Sequence, residues 1–301
     1  MLRILIVGCG DVGLRAARLL RGKARVYGLL RSPERAAELR AAGVIPIAGD
    51  LDDDHGLRRL AGLADVVFHF APPPPDGERD PRTRRLIAAL SAGNALRKRA
   101  SLPRTLIYVS TSGVYGDCGG AVVDESRPAR PRNPRARRRW DAETQLRRWA
   151  VRSGVGLAIL RAPGIYAQDR MPEERVRKGL PAIVREEDVD TNHIHAEDLA
   201  RLAIAAMFRA GRNRVYNAVD DSGLKMGDWF DVVADHLGLP RPPRLPRDEV
   251  IAAVTPAMRS FLTESRRLVN RRIKRELRFR LKYPTVHAGL AARIEAGIKN
   301  G

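Results

Sequence analysis

Apolar and polar positions along this chain switch between two periods. A short apolar run at residues 4–7 gives way to Leu14, Ala17, Leu19 and Leu20, spaced as on one face of a helix. The switch then repeats. Compact apolar segments at 25–30, 44–48, 65–70, 104–110 and 157–161 predict strands, and helical spacing predicts helices over 33–42, 82–99 and 141–152. Pro33 suits the first turn of its helix, and the prolines at 72–75 stop ladder pairing after the fourth strand. Such alternation implies the α/β class, a doubly wound parallel sheet with helices on both faces. Past residue 161 the pattern becomes irregular. A proline-interrupted loop region at 162–191 precedes a helix at 196–207, a strand at 214–218, a helix at 226–237 that stops at Gly238, and a basic tail read as helical over 256–282. The predicted division is a main domain at 1–165 to which 192–222 returns. Segments 166–191 and 223–301 form a small discontinuous C-terminal substrate lobe.

The junction of the first strand and helix carries Gly8-Cys9-Gly10-Asp11-Val12-Gly13. In a Rossmann-type sheet the first glycine of such a loop allows the tight turn, the second admits a pyrophosphate, and the third lets helix pack on strand. The helix N-terminus adds N–H donors for an anion. Strand, loop and helix in register predict dinucleotide binding. The second strand ends Leu30-Arg31-Ser32, with no acidic residue to hold a ribose hydroxyl, so NADP is preferred over NAD, with Arg31 and Ser32 against the 2′-phosphate.

Composition narrows the function further. With 301 residues and 44% hydrophobic content, the chain can bury a sizeable core, and no apolar run approaches the roughly 18 residues of a membrane span. The first strand follows directly on Met1-Leu2, which leaves no room for a leader and predicts a cytoplasmic protein. Cys9 and Cys118 lack disulfide or metal-ligand spacing and read as free thiols. The net charge of +20 comes mostly from arginines spread over many segments, and aromatics make up only 5%. A solvated arginine-rich surface therefore explains the charge better than nucleic-acid binding.

Several later segments complete a pattern. The stretch Val109-Ser110-Thr111-Ser112-Gly113-Val114-Tyr115-Gly116, then Leu160 to Tyr166, Ile194-His195-Ala196-Glu197-Asp198-Leu199-Ala200 and Val215-Tyr216-Asn217 resemble, in order, motifs of the extended short-chain dehydrogenases/reductases. The GxGxxG loop and the tail are similar to an atypical epimerase/dehydratase-like branch. The resemblance implies an NAD(P)-dependent oxidoreductase or epimerase acting on a small anionic, sugar-like or nucleotide-sugar-like molecule, and it is compatible with a homodimer. It places Asp50 and Leu51 at the adenine, Ala71 and Pro72 beside the nicotinamide half, Thr111 as the substrate-facing hydroxyl and Ser112 as substrate-binding. The family's Tyr and Lys, four residues apart, correspond here to Arg135 and Arg139. A guanidinium, with its pKa above about 12, cannot shuttle the proton that a phenol supplies. Tyr115 is the candidate replacement, a pocket wall being the competing reading. Arg135 is expected to clamp a carboxylate or phosphate, and Arg139 to touch the ribose. Arg267 or Arg271 in the tail is expected to face the cleft. His193 and His195 lack further ligands, so no metal is expected. A non-catalytic dinucleotide sensor is the alternative function.

Overall fold

The computed structural model describes residues 1–53, 56–92 and 102–291. Five strands, β1 (Arg3–Val7), β2 (Arg25–Leu30), β3 (Val44–Ala48), β4 (Val66–His69) and β5 (Thr105–Thr111), join Gly156–Ala162 and Arg214–Asn217 in one seven-stranded parallel sheet. Its order is Arg214–Asn217, Gly156–Ala162, β5, β4, β1, β2, β3. The sequence order reverses between β1 and β4, and ligands of open α/β sheets bind at such a switch point, outside the carboxyl ends of the strands. This is the expected Rossmann-type α/β fold. Ile4, Leu5, Ile6 and Val7 are all fully buried, as parallel strands covered on both faces require.

Helix α1 (Asp11–Leu20) packs with Ala196–Arg209 in the core on one face of the sheet. On the other face, Leu86, Ala89 and Leu90 of α3 (Pro81–Ser91) meet Leu146, Trp149 and Ala150 of α4 (Pro134–Ser153). A third cluster joins Tyr166, Val176, Ile183, Trp229, Phe230, Val250 and Leu290 above the strand ends. No helix among the described residues is long and apolar enough to cross a membrane.

Four segments differ from the sequence reading. The segment read as a helix over 33–42 is a 3-10 turn, Pro33–Arg35, followed by α2 (Ala36–Ala41). The helix expected over 82–99 is seen as Pro81–Ser91, and its part from 93 onward lies outside the described residues, as do the last residues, 292–301, of the expected lobe. Helix α4 begins seven residues before the expected 141, because Asn133 caps it, accepting from Ala136 N at 2.8 Å, and Pro134 opens it. The tail is not one helix. Pro256–Leu262 and Arg271–Glu276 are separate, and between them Arg267–Leu268 pairs in parallel with Val122–Val123. Asn270 fixes the break by donating to the Val219 carbonyl and to Asp221 Oδ1.

Candidate functional site

The glycine loop and the strand ends beside it form a groove bordered by Gly8, Cys9, Gly10, Arg31, Ser32, Asp50, Leu51, Ala71 and Pro72. Asp11, Val12 and Gly13 stand in the first turn of α1, which no side chain caps, so its N–H groups stay available to an anion. Each glycine has its own reason. Gly8 has φ +102° and passes so close to the loop after β4 that a Cβ would lie 2.3 Å from Ala71 N. At Gly13 a Cβ would meet the Gly8 carbonyl oxygen at 2.6 Å, so helix and strand pack backbone to backbone. At Gly10 a Cβ would meet nothing within 4 Å. That open cradle over uncapped N–H groups fits a pyrophosphate. Burial pushes the Cys9 thiol up to about 12, so Cys9 is a packing residue rather than a nucleophile.

Two arginines that the sequence reading missed complete this groove. Arg35 donates to the Cys9 carbonyl at 3.0 Å and pairs with Glu38. Arg82 grips Asp52 through both nitrogens and reaches the Pro72 carbonyl at 3.0 Å, tying the loops after β3 and β4 together. Neither stands in a motif. Only the fold brings them to the groove.

A second cleft lies over the ends of β5 and Gly156–Ala162. Thr111, Ser112, Asn133, Arg135, Pro163 and Gly164 line it from the sheet side, and Met226, Phe261, Glu264 and Arg266 close it. Thr111 Oγ1 accepts from Gly113 N at 3.2 Å, which orients its hydroxyl. Arg135, in the first turn of α4, rests its guanidinium 5.4 Å above the Phe261 ring, and among the described residues no carboxylate pairs with it. One turn on, Arg139 turns inward and donates to the Val109 carbonyl at 2.9 Å and to the Tyr108 hydroxyl at 3.2 Å. Arg139 thus braces the ends of β5 and α4, whereas Arg135 is presented to the cleft. Asn133 donates to Glu264 at 3.0 Å, and Glu264 also accepts from Arg266, so the cap of α4 is tied to the C-terminal wall.

Tyr115 has to be corrected. It is 1% exposed, does not line the cleft, and donates its hydroxyl to Asn217 Oδ1 at 2.8 Å. The Arg161 guanidinium lies 4.6 Å from its ring and is itself held by Glu143 at 3.0 and 2.8 Å. Burial pushes the phenol up, the opposite of what a proton shuttle near neutral pH needs. None of the chain's six tyrosines lines the cleft. Arg267 and Arg271 are also corrected. They border a separate groove beside Asp220, Asp221 and Asn270, where Arg267 donates to the Gly120 carbonyl at 2.8 Å; Arg266 is the tail arginine that reaches the cleft. His195 caps the helix Ala196–Arg209, its Nδ1 accepting from Glu197 N at 3.2 Å. Among the described residues no group of three His, Cys, Asp or Glu is placed to hold a metal ion.

Comparison with known proteins agrees with the fold. Residues 4–218 match the profile of the NAD dependent epimerase/dehydratase family. An NAD(P)H azoreductase from Xenophilus azovorans is 28% identical over 241 residues, which span 79% of this chain and 74% of that protein. A conserved protein of unknown function from Silicibacter pomeroyi is 33% identical, with a TM-score of 0.78 and coverage of 96% of this chain and 97% of the other. A UDP-glucuronic acid 4-epimerase from Bacillus cereus, solved in complex with NAD, shares the fold at 18% identity, with a TM-score of 0.73 and 96% of each chain covered.

Proposed function

The chain belongs to the NAD-dependent epimerase/dehydratase family, and on that premise we propose that it is an NADPH-dependent reductase of a small anionic acceptor. The observation that carries this reading is Arg135, which lines a cleft that no tyrosine lines; by the family resemblance it stands where the proton shuttle is expected. Epimerising or dehydrating a sugar requires a base that takes a proton from an unactivated hydroxyl, and a guanidinium is protonated at every working pH. Reducing an electron-poor acceptor requires less of the protein. Charge that develops on the acceptor needs a fixed cation and hydroxyl donors, and the product takes its proton from water.

A reduced nicotinamide dinucleotide bound in the groove would supply the hydride. The chain's own residues hold and polarise the acceptor. Arg135, with which no carboxylate pairs among the described residues, draws an anionic group into the cleft and stabilises the charge that grows there. Thr111 and Ser112 donate hydrogen bonds from the end of β5. Phe261 and Met226 cover the opposite side. The preference for NADPH rests on Arg31 and Ser32 in the groove, with Arg35 beside them and no acidic residue at the end of β2.

The test follows NADPH oxidation with quinone, azo and 2-oxo acid acceptors by the parent and by Arg135→Gln. Loss of this cation lowers turnover by about 100-fold, the scale of removing one stabilising donor, with NADPH affinity unchanged. Tight NADPH binding with no consumption on any acceptor would instead favour a dinucleotide sensor.

A further inference from the structure

Beyond the cleft the structure holds a second cavity, of about 290 Å³. Its walls include Tyr166, Met171, His193, Trp229, Phe230 and Met258, and it shares Gly164, Thr191, Met226 and Phe261 with the cleft, so the two spaces adjoin through those four residues. The rings pack on one another to form one wall: Trp229 lies 5.6 Å from Tyr166 and 4.5 Å from His193. Among the described residues Arg170 is the one charged residue on its border, and it already pairs with Asp11 at 3.2 Å, so a diphosphate finds no unpaired cation among them here. An aryl group does find partners, since apolar cavities of about 150 Å³ hold a benzene ring and methionines adapt to flat aromatic faces.

Two further observations tell what the occupant looks like. His193 is only 3% exposed, and among the described residues its Nδ1 has no hydrogen-bond partner, so a single polar atom on the occupant would satisfy it. Phe261 borders both spaces, is 43% exposed, and carries the Arg135 guanidinium 5.4 Å above its ring. The anion-binding group therefore sits one ring's thickness from the mouth of the apolar chamber. A ligand that uses both must place a negative charge within a few bonds of an apolar body.

We propose that the Trp229 chamber receives an aryl body of the substrate, which is thus an amphipathic aromatic anion, its charge on Arg135 and its ring between Trp229, Phe230 and Met258. This rests on the reductase reading for the reaction, but not for the binding. Arg135 sets where the anion stops, and the chamber sets which anions are held.

The experiment is calorimetric titration of the full chain, saturated with oxidised dinucleotide, using 4-phenylbutyrate, its neutral amide, butyrate and UDP-glucose. 4-Phenylbutyrate binds at least tenfold more tightly than butyrate, the return expected for burying a ring. Arg135→Gln weakens the acid but not the amide. Met258→Trp, which fills the chamber, removes the aryl advantage while butyrate and dinucleotide affinities stay unchanged; Trp229→Leu, which strips a wall, lowers the same advantage should the larger side chain disturb folding. An acid bound no better than butyrate, or an aryl advantage that survives both variants, overturns the chamber, as does UDP-glucose binding that Met258→Trp abolishes. The two readings fail separately. An aryl advantage without NADPH consumption on any acceptor sinks the reductase and keeps the chamber, and consumption without the advantage does the reverse.

Discussion

Replacing Tyr115 by Phe separates a catalytic phenol from a structural one. The hydroxyl donates to Asn217 Oδ1 at 2.8 Å in a buried setting, while Asn217 Nδ2 donates to the carbonyls of Val123 at 3.1 Å and Val269 at 3.2 Å. Asn217 cannot flip its amide to find a new donor without losing both of those bonds. The variant therefore leaves a buried acceptor unsatisfied, a cost of about 1–3 kcal/mol. The ring itself remains under the Arg161 guanidinium, so the cation–π contact and the Glu143 pair persist. For a chain of this size each kcal/mol lowers Tm by about 2–4 °C, so the expected fall is roughly 2–12 °C. Turnover of NADPH with an identified acceptor, measured well below the new Tm, stays within about twofold of the parent, far from the 100-fold or more that loss of a general acid costs. Unchanged Tm with a 100-fold loss of turnover would refute this account and return Tyr115 to the proton path.

Two other perturbations test the charge arrangement. Arg31→Asp places a carboxylate at the end of β2 and is expected to weaken NADPH by tenfold or more while sparing or improving NADH; equal affinities for the two in the parent protein would remove the argument from Arg31. Asp220, whose Oδ2 has no partner among the described residues and which faces Asp221 and Asp198, is held by burial at about 7 against an ordinary 3.8. A raised carboxyl contributes stability at low pH that is lost as pH climbs from the unfolded to the folded value, so Asp220→Asn should gain in Tm relative to the parent between about pH 4 and about pH 7, and a constant difference across that window would show that Asp220 does not titrate there.

The sheet and the dinucleotide groove were legible because both are local. Strand, loop and helix at residues 3–20 are contiguous, and the fingerprint glycines fall together at their junction, where Gly13 packs on the Gly8 carbonyl within the same loop. Arg35 and Arg82 were not, since their partners Cys9 and Asp52 stand 26 and 30 residues away and only the closed fold brings them together. Tyr115 misled for a related reason. It follows a strand end, where open sheets place ligands, yet the turn Ser112–Tyr115 points the ring back beneath Arg161 toward Asn217, 102 residues later.

The tail shows how the choice of period decides which side chain reaches a site. Read as a helix over 256–282, the sequence puts Arg267 and Arg271 on one face, four residues apart, and offers one or the other for the cleft. The segment is instead extended around Arg267–Leu268, where successive side chains point to opposite sides. Arg266 then lines the cleft and bonds Glu264, while Arg267 turns to the Gly120 carbonyl on the other side. What sets the extended form is pairing with Val122–Val123, backed by the Ser265 carbonyl accepting from Cys118 N at 3.0 Å. Those partners lie more than 140 residues upstream. A two-residue strand has too little periodicity of its own to announce itself, so the tail arginine that lines the cleft is chosen by a long-range pairing rather than by local propensity.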